Sequence, residues 1–435
     1  MRKLILCLAC MLGLSEYAFS QRALTLEEAV ALGLDNNYAI RIAKNQQEMA
    51  ENLYHPGEAG LLPFVDASAG KSWSVQDVEQ QFRDQPAVEV QEEATSNSTN
   101  ASLEAGYLLN LGSLYTFKRL GTLSELSELE AKVTIENTVA AITTAYYRVV
   151  LEQQRYSRLQ ETLELSDERL QISKDRYELG KASKQEYLAA QVDYNTDLSE
   201  LINQEEVIAV ARIQLNELLG SAAGEPLVIK DTILIEDDLV LDNLLEAANF
   251  KNPLLMAAQR EINVAHLQMR ELQAARLPQL SLFGAYGRDI SESEAGFILI
   301  NQRTGFNYGL TASVNLFNGF VLRNRIQNAR IQQHNQKLEY EELLLALESD
   351  ISATYAAYQN SLRLLEVAQS NYEVAIENAD IALERYKMGI TSSLEFREAQ
   401  QNALVAELRL INAVYTIKAA EIELKRLAGS VMSAV

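Results

Sequence analysis

Cysteine is almost missing from this chain. Among 435 residues only Cys7 and Cys10 occur, both inside the first apolar run. Arg2 and Lys3 precede that run, which extends from Leu4 to Leu14, and Ala18-Phe19-Ser20 follows with small residues at signal-peptidase spacing. Residues 1–20 therefore read as a secretory signal peptide cleaved before Gln21. Lipid attachment at Cys10 would require the apolar run to stop there, and Met11, Leu12 and Leu14 continue it. The mature chain is expected to hold no disulfide, no thiol chemistry and no thiolate metal site. Histidine is scarce as well: His55, His266 and His334 stand far apart, without partners at metal-ligand spacing. No glycine-rich phosphate loop, nucleophile elbow or paired His–Asp arrangement is present. The expectation is no metal, no cofactor and no enzyme. Basic residues are outnumbered, and the net charge of −22 argues against nucleic acid or anionic lipid as a partner. No apolar run beyond the signal approaches 18 residues, which excludes membrane-crossing helices but not a β-barrel, whose signal is weak in each segment.

What the chain does have is itself, twice. Arg176-Tyr177-Glu178-Leu179-Gly180 recurs as Arg385-Tyr386-Lys387-Met388-Gly389, at an offset of 209 residues. Glu186, Tyr187, Ala190 and Gln191 meet Glu395, Phe396, Ala399 and Gln400 at the same offset, as do Ile142 with Ile351, Tyr146 with Tyr355 and Gly220 with Gly429. Asn37 meets Asn252 and Leu62-Pro63 meets Leu277-Pro278 at 215, and Gly112 meets Gly319 at 207, the small drifts that loop insertions leave. The first repeat is assigned to residues 21–220, a linker to 221–239, the second repeat to 240–429 and a short tail to 430–435. Within the linker, Leu227-Val228-Ile229 and Ile233-Leu234-Ile235 are candidate short strands.

Both repeats share one plan. A short helix (about 25–36 and 240–251) leads to a second (about 38–61 and 253–276), then to two strand candidates. A very long helix follows (about 114–178 and 321–387), then a glycine turn and a final helix. The strands are expected at about 64–73, 100–110, 279–288 and 306–316. From Phe306 to Leu316 apolar and polar residues alternate without a break, Ala101 to Leu109 alternate as well, and Val65, Ala67, Ala69 and Trp73 face away from Phe64, Asp66, Ser68 and Ser72, the period of a strand with one apolar face. Runs of about 10 residues suit a tilted strand crossing a bilayer, although a soluble half-buried sheet has the same period. The polar segment from about 75 to 99, with the sequon Asn97-Ser98-Thr99, is expected to be an external loop, and Trp73 stands where an aromatic girdle would place it. Four strands cannot close a barrel, so a membrane location demands several subunits. In the long helices Ile351, Tyr355, Tyr358, Leu362, Leu365, Tyr372, Ile376, Ala379, Leu383 and Tyr386 form a coiled-coil seam interrupted only at Gln369, and Val149, Tyr156, Leu163, Leu170 and Tyr177 keep one heptad position. About 65 such residues make a rod of roughly 95 Å.

This duplicated order of helix, strand–loop–strand, long helix, glycine turn and helix resembles the TolC-type outer-membrane efflux family over essentially the whole mature chain. The resemblance includes Asn252-Pro253, the Leu-Pro before each first strand and Asn318-Gly319. It implies a mainly α protein with membrane β: a long α-helical coiled-coil barrel plus a β-barrel shared between subunits, built from two tandem repeats. It further implies a homotrimer in the outer membrane of a Gram-negative bacterium, in contact with its lipid and extending into the periplasm. The partners implied are a periplasmic adaptor (membrane fusion) protein and an inner-membrane pump of the RND, ABC or MFS type. The family's periplasmic gate carries acidic residues just past the second turn, and the matching positions are Glu395 and Glu398; Tyr386 matches a tyrosine that holds the gate shut. Where some members have a basic partner, this chain has Thr391. The tips at Gly180, Lys181, Gly389 and Thr391 match the sites where an adaptor docks. Two readings stay beside this one: two glutamates three apart form an ordinary solvated helix face, and a long coiled coil also suits a soluble periplasmic scaffold or adaptor.

Overall fold

The structure, a computed structural model, describes residues 23–83, 85–236 and 239–431; the expected signal peptide, with Cys7 and Cys10, lies outside the described residues. Among the described residues the elements run α1 (Leu26–Asn36), α2 (Tyr38–Leu53), β1 (Phe64–Phe82), β2 (Gln85–Leu109), α3 (Leu111–Glu178), α4 (Lys184–Leu219), α5 (Leu241–Lys251), α6 (Pro253–Ala274), β3 (Gln279–Ser293), β4 (Ile300–Ser313), α7 (Val321–Lys387) and α8 (Ser393–Leu427). They form two compact units. One comprises Met1–Lys44, Glu130–Leu255 and Leu343–Val435, the other Asn45–Leu129 and Met256–Glu342. Each unit takes matching stretches from both repeats.

In the first unit the main apolar core joins Ala29 and Val30 of α1, Val139, Ile142, Tyr146 and Val149 of α3, and Ala211, Leu215 and Leu219 of α4. The linker adds Ile229 and Ile233 to that core. It does so without forming the two expected short strands: residues 227–235 carry no strand, and Leu24 N–H to Val228 O, 2.8 Å, is a lone backbone bond. Two isolated apolar triplets satisfy a core by packing, whereas a strand also needs a neighbour to ladder with.

An asparagine clasp closes each repeat. Asn37 ends α1 and starts α2: its Oδ1 accepts from Ala39 N (2.9 Å) and Ile40 N (3.3 Å), capping the new helix, while Nδ2 donates to Leu218 O at the end of α4 (2.7 Å). Asn252 repeats every contact, accepting from Leu254 N (2.8 Å) and Leu255 N (3.3 Å) and donating to Leu427 O at the end of α8 (2.8 Å). One amide thus satisfies orphan donors of one helix and an orphan acceptor of another. The matched glycines make the approach possible. Gly220 (φ +70°) and Gly429 (φ +67°) end their helices left-handed, and a Cβ would lie 2.6 Å from Asn36 O and 2.8 Å from Asn252 Cα respectively. Asn37/Asn252 and Gly220/Gly429, matched in the sequence, thus make the same contacts in both copies.

The second unit holds an antiparallel sheet in the order β1-β2-β3-β4. Its register puts Ala67, Leu103, Tyr286 and Phe306 in one row and Val65, Ala105, Gly284 and Tyr308 in the next. These rows share a face, and that face is bare: Phe306 is 62% and Tyr308 77% exposed. The other face carries Asp66, Glu104 and Asn307, then Ser68, Ser102, Gly287 and Gly305, with Ser68 Oγ and Ser102 Oγ 2.9 Å apart. Phe64 and Phe283 turn to that side and lie over glycines: a Cβ on Gly106 would meet the Phe64 ring at 2.4 Å.

Element ends differ from the sequence expectation in several places, among them β3, which runs on to Ser293. The segment from 75 to 99 is no loop but ladder, with Val75 opposite Thr95 and Trp73 opposite Asn97, so the sequon lies within β2. Backbone pairing needs no apolar face, and the alternation on which the expectation rested lapses where both faces are polar. β4 begins earlier, at Ile300, and stops at Ser313, before the turn around Asn318-Gly319. α2 ends at Leu53 rather than near 61, because Pro56 disfavours helix in the residue before it and Gly57 follows.

Replacing Asn252 with Ala is expected to lower stability by about 2–3 kcal/mol, since it orphans a buried carbonyl and two cap donors together. Thermal melts of the detergent-solubilised protein, followed by helical circular dichroism, check this. Asn252→Asp, which keeps the cap but loses the donor to Leu427 O, should fall between the two.

Candidate periplasmic gate and docking tips

The site lies in the first unit, where α3, α4, α7 and α8 converge on two helical turns. Each turn is built alike. Arg176 O accepts Lys181 N at 2.7 Å and Arg385 O accepts Ile390 N at 2.9 Å, with Gly180 (φ +71°) and Gly389 (φ +78°) left-handed in between. This is the Schellman closure, and glycine supplies the positive φ. Ser183 and Ser392 then cap the next helices by accepting from Glu186 N (3.2 Å) and Glu395 N (3.3 Å). Glu395 therefore occupies the third position of α8, where a carboxylate suits the helix dipole, and it accepts a hydrogen bond from Thr391. Glu398 stands on the next turn, and both glutamates are exposed, as are Gly180, Lys181 and Gly389, with Thr391 half-buried.

Tyr386 is placed quite differently. It is fully buried, its ring stacked on Phe396 at 5.6 Å and its hydroxyl 2.8 Å from Ser173 Oγ of α3. Arg176 donates to Tyr386 O at 2.5 Å and lays its guanidinium over the same ring, 4.6 Å from the centroid. A cation on the last carbonyls of α7 is favoured by the helix dipole, and the ring face adds a cation–π term. The first repeat keeps the motif without the burial: Tyr177 stacks on Tyr187 at 6.0 Å yet remains 39% exposed. The structure thus brings Tyr386 into the helix packing and leaves the glutamates and turn glycines at the surface.

One helical turn further from the tips lies a polar cluster that sequence reasoning missed. Arg397 of α8 grips Asp197 of α4 with two bonds of 2.6 and 2.7 Å. Ser166 of α3 donates to the same carboxylate (2.5 Å), and Gln400 donates to Ser166 Oγ (3.0 Å) and Thr162 O (3.1 Å). Arg169, almost wholly buried, pairs with Asp193, and Lys387 bridges to Glu168 at 3.0 Å. The only sequence signal was Asp193 and Asp197, one turn apart on α4 and so on one helix face. Nearby, Glu407 takes Arg158 (3.2 Å) and Tyr372 (3.3 Å), and burial raises its pKa against the opposing pull of Arg158.

Known proteins bear on these geometries. The family model described as outer membrane efflux protein matches residues 30–221 and 244–430. The toluene efflux pump outer membrane protein TtgC of Pseudomonas putida is 22% identical over 93% of this chain and 82% of its own. The proteases secretion protein PrtF of Dickeya chrysanthemi is 21% identical over 99% and 93%. Among solved structures, the CmeC outer membrane channel of Campylobacter jejuni has a TM-score of 0.78 at 18% identity, covering 93% of this chain and 85% of that one. The fold is therefore that of the outer-membrane channels.

Removing one partner of a buried ion pair leaves the other charge uncompensated, so Asp197→Ala is expected to cost about 3 kcal/mol or more. A double-mutant cycle with Arg397→Met, read by thermal denaturation, should show the two losses far from additive. For Glu407 the sign runs opposite to the usual carboxylate. Its folded pKa is raised, so its contribution is fully present below the unfolded value of 4.5 and is lost as pH rises through the folded one. Glu407→Gln should therefore gain melting temperature relative to the parent as pH goes from 4 to about 7.

Proposed function

The chain belongs to the family of outer membrane efflux proteins, and on that premise we propose a homotrimeric exit duct that receives cargo from a periplasmic adaptor and an inner-membrane pump of the RND, ABC or MFS type. The family is one of outer-membrane channels rather than enzymes. The observation that carries the reading is the four-stranded sheet, with one bare apolar face and, among the described residues, no partner on the outer edge of β1 or β4. Such a sheet suits hydrocarbon on its apolar side and requires other copies to satisfy its edges. A soluble scaffold would leave that face in water, which favours the channel over an adaptor.

Within the duct, we assign the gate to the second repeat. The hydroxyl of Tyr386 on Ser173 and the guanidinium of Arg176 on Tyr386 O fasten α7 to α3, and opening must break both contacts. Threefold copies of Glu395 and Glu398 around a narrow opening would attract cations and hold out anions. The turns at Gly180, Lys181, Gly389 and Thr391 are the surface an adaptor hairpin meets. The basic partner that Thr391 does not supply is replaced by Arg176, delivered from the other hairpin. Two relatives are named for toluene efflux and for protease secretion; the common architecture fits a duct whose cargo is chosen by its pump.

Planar-bilayer recordings test the assignment. Glu395→Ala with Glu398→Ala should reduce cation selectivity and weaken block by polyvalent cations, while Tyr386→Phe with Arg176→Ala should raise single-channel conductance. Unchanged selectivity in the first variant would remove the glutamates from the pore.

A further inference from the structure

The chain is acidic overall, yet one zone of the second unit is not. All four strands meet their helices at the same edge of the sheet: the chain enters β1 at Phe64, leaves β2 at Leu109, enters β3 at Gln279 and leaves β4 at Ser313. On the helix side of that edge stand Lys118, Arg119, Arg270, Arg276, Arg323 and Arg325. The acids there are fewer: Glu58 is exposed, and Glu271 is already engaged by Arg119 at 3.0 Å. Among the described residues no carboxylate pairs with Arg276, Arg323 or Arg325, and all three are exposed. The hairpin end of the same sheet has the opposite sign, with Asp77, Glu79, Glu89, Glu92, Glu93, Glu292 and Glu294.

The basic residues alternate with aromatic rings that have no core to enter. Leu316 is 91% and Phe317 73% exposed. Phe317 and Phe320 meet edge to face at 5.3 Å, Arg323 lies 5.9 Å over the Phe320 ring and Arg270 5.6 Å over Tyr115. Phe320 adopts φ +65°, directly after Gly319 at +64°, a backbone region that bulky residues avoid. That turn holds both rings outward at the start of α7. Amphipathic rings with arginine heads beside them are the composition of a membrane–water interface.

We propose that this collar binds the phosphate headgroups of anionic phospholipids in the leaflet facing the helices. The argument is charge complementarity together with continuity: the collar directly adjoins the apolar face of the sheet, which is the lipid-facing surface. The dimensions agree. Arg323 and Arg325 fall in the first turn or so of α7, and Arg270 sits about 6 Å of helical rise before the end of α6, within the several-ångström depth of a headgroup layer. Trp73 stands nine residues along β1 from Phe64. That is about 30 Å of strand, or about 23 Å along the normal at the usual tilt, close to the height of the apolar band. Net charge argues against anionic lipid as a partner; the collar is a proposed exception to that expectation at one level of the molecule. Guanidinium on phosphate is a bidentate, charge-assisted contact, so the preference should be for anionic over zwitterionic headgroups.

The proposal rests on the sheet being in the membrane, and the test separates the two. The full-length protein and an Arg276→Gln/Arg323→Gln/Arg325→Gln variant are extracted and reconstituted in nanodiscs of phosphatidylethanolamine with or without phosphatidylglycerol. Native mass spectrometry then counts retained phosphatidylglycerol, and thermal melts give the stabilisation it confers. The parent should retain phosphatidylglycerol preferentially and melt higher with it, and the variant should lose at least about tenfold in lipid affinity while still inserting as a heat-modifiable oligomer. Lysine at the same three positions should restore most of the effect. Equal retention by parent and variant overturns the collar alone, as does an altered ion selectivity of the variant with lipid retention unchanged, which would place the arginines in the lumen. Recovery of the parent in a soluble fraction overturns the membrane reading, and the collar with it.

Discussion

A backbone N–H or C=O without a partner in hydrocarbon costs several kcal/mol, and the outer edges of β1 and β4 each carry a row of them. Everything else in the second unit answers to that constraint. A chain that supplies four strands cannot complete a wall, so the sheet is one portion of a barrel assembled from several copies. The two faces of that portion are already specialised. Apolar rows such as Ala67, Leu103, Tyr286 and Phe306 stand on one, and serine, glycine and charge stand on the other. Register is what keeps them apart, because a slip of one residue would exchange the faces along the whole strand.

The first unit faces a different problem, which is to hold long helices in one arrangement. Coiled-coil seams supply bulk adhesion but little directional information, since leucine on leucine tolerates sliding. The directional contacts are polar and local: Arg397 on Asp197, Arg169 with Asp193, Tyr386 on Ser173 and Arg176 on the end of α7. Such contacts are either made or broken, so they fix the relative position of the helices more sharply than a graded apolar surface does. Duplication gave both hairpins the same turn, and the second copy alone buries its tyrosine. The structural difference between the copies thus comes from packing around matching local structure.

Much of this architecture is legible in the amino-acid order. The strand faces follow from period two, the long helices from their heptads, and the turns from Tyr-x-x-Gly repeated at a fixed offset. The asparagine and glycine pairs that close each repeat were visible as matches, although their role was not, because a contact between Asn37 and Leu218 spans 181 positions. The outer ribbon from 75 to 99 reads as a loop in the amino-acid order for a related reason. Pattern reading detects a difference between faces, and a ladder polar on both sides has none. The Arg397–Asp197 cluster was hidden by its chemistry, since charged residues on a helix are ordinarily solvated, and only the packing of α3, α4 and α8 shows these to be enclosed. Glu395 was visible, but its position as the third residue after a serine cap gives it a local reason to be there besides any role in a pore.

The clasps at Asn37 and Asn252 tie the start of each repeat to its own last helix. Each half of the chain is therefore a closed ring in its own right, with its beginning and end pinned side by side. The connection through 221–239 fills space in the core, through Ile229 and Ile233, but it does not do the closing. In evolutionary terms this makes fusion inexpensive: a gene for one self-closed ring can be copied and joined in frame without any bond in either ring being rearranged. It also leaves each copy free to differ: one half buries its tyrosine, and the other leaves Tyr177 partly exposed on Tyr187.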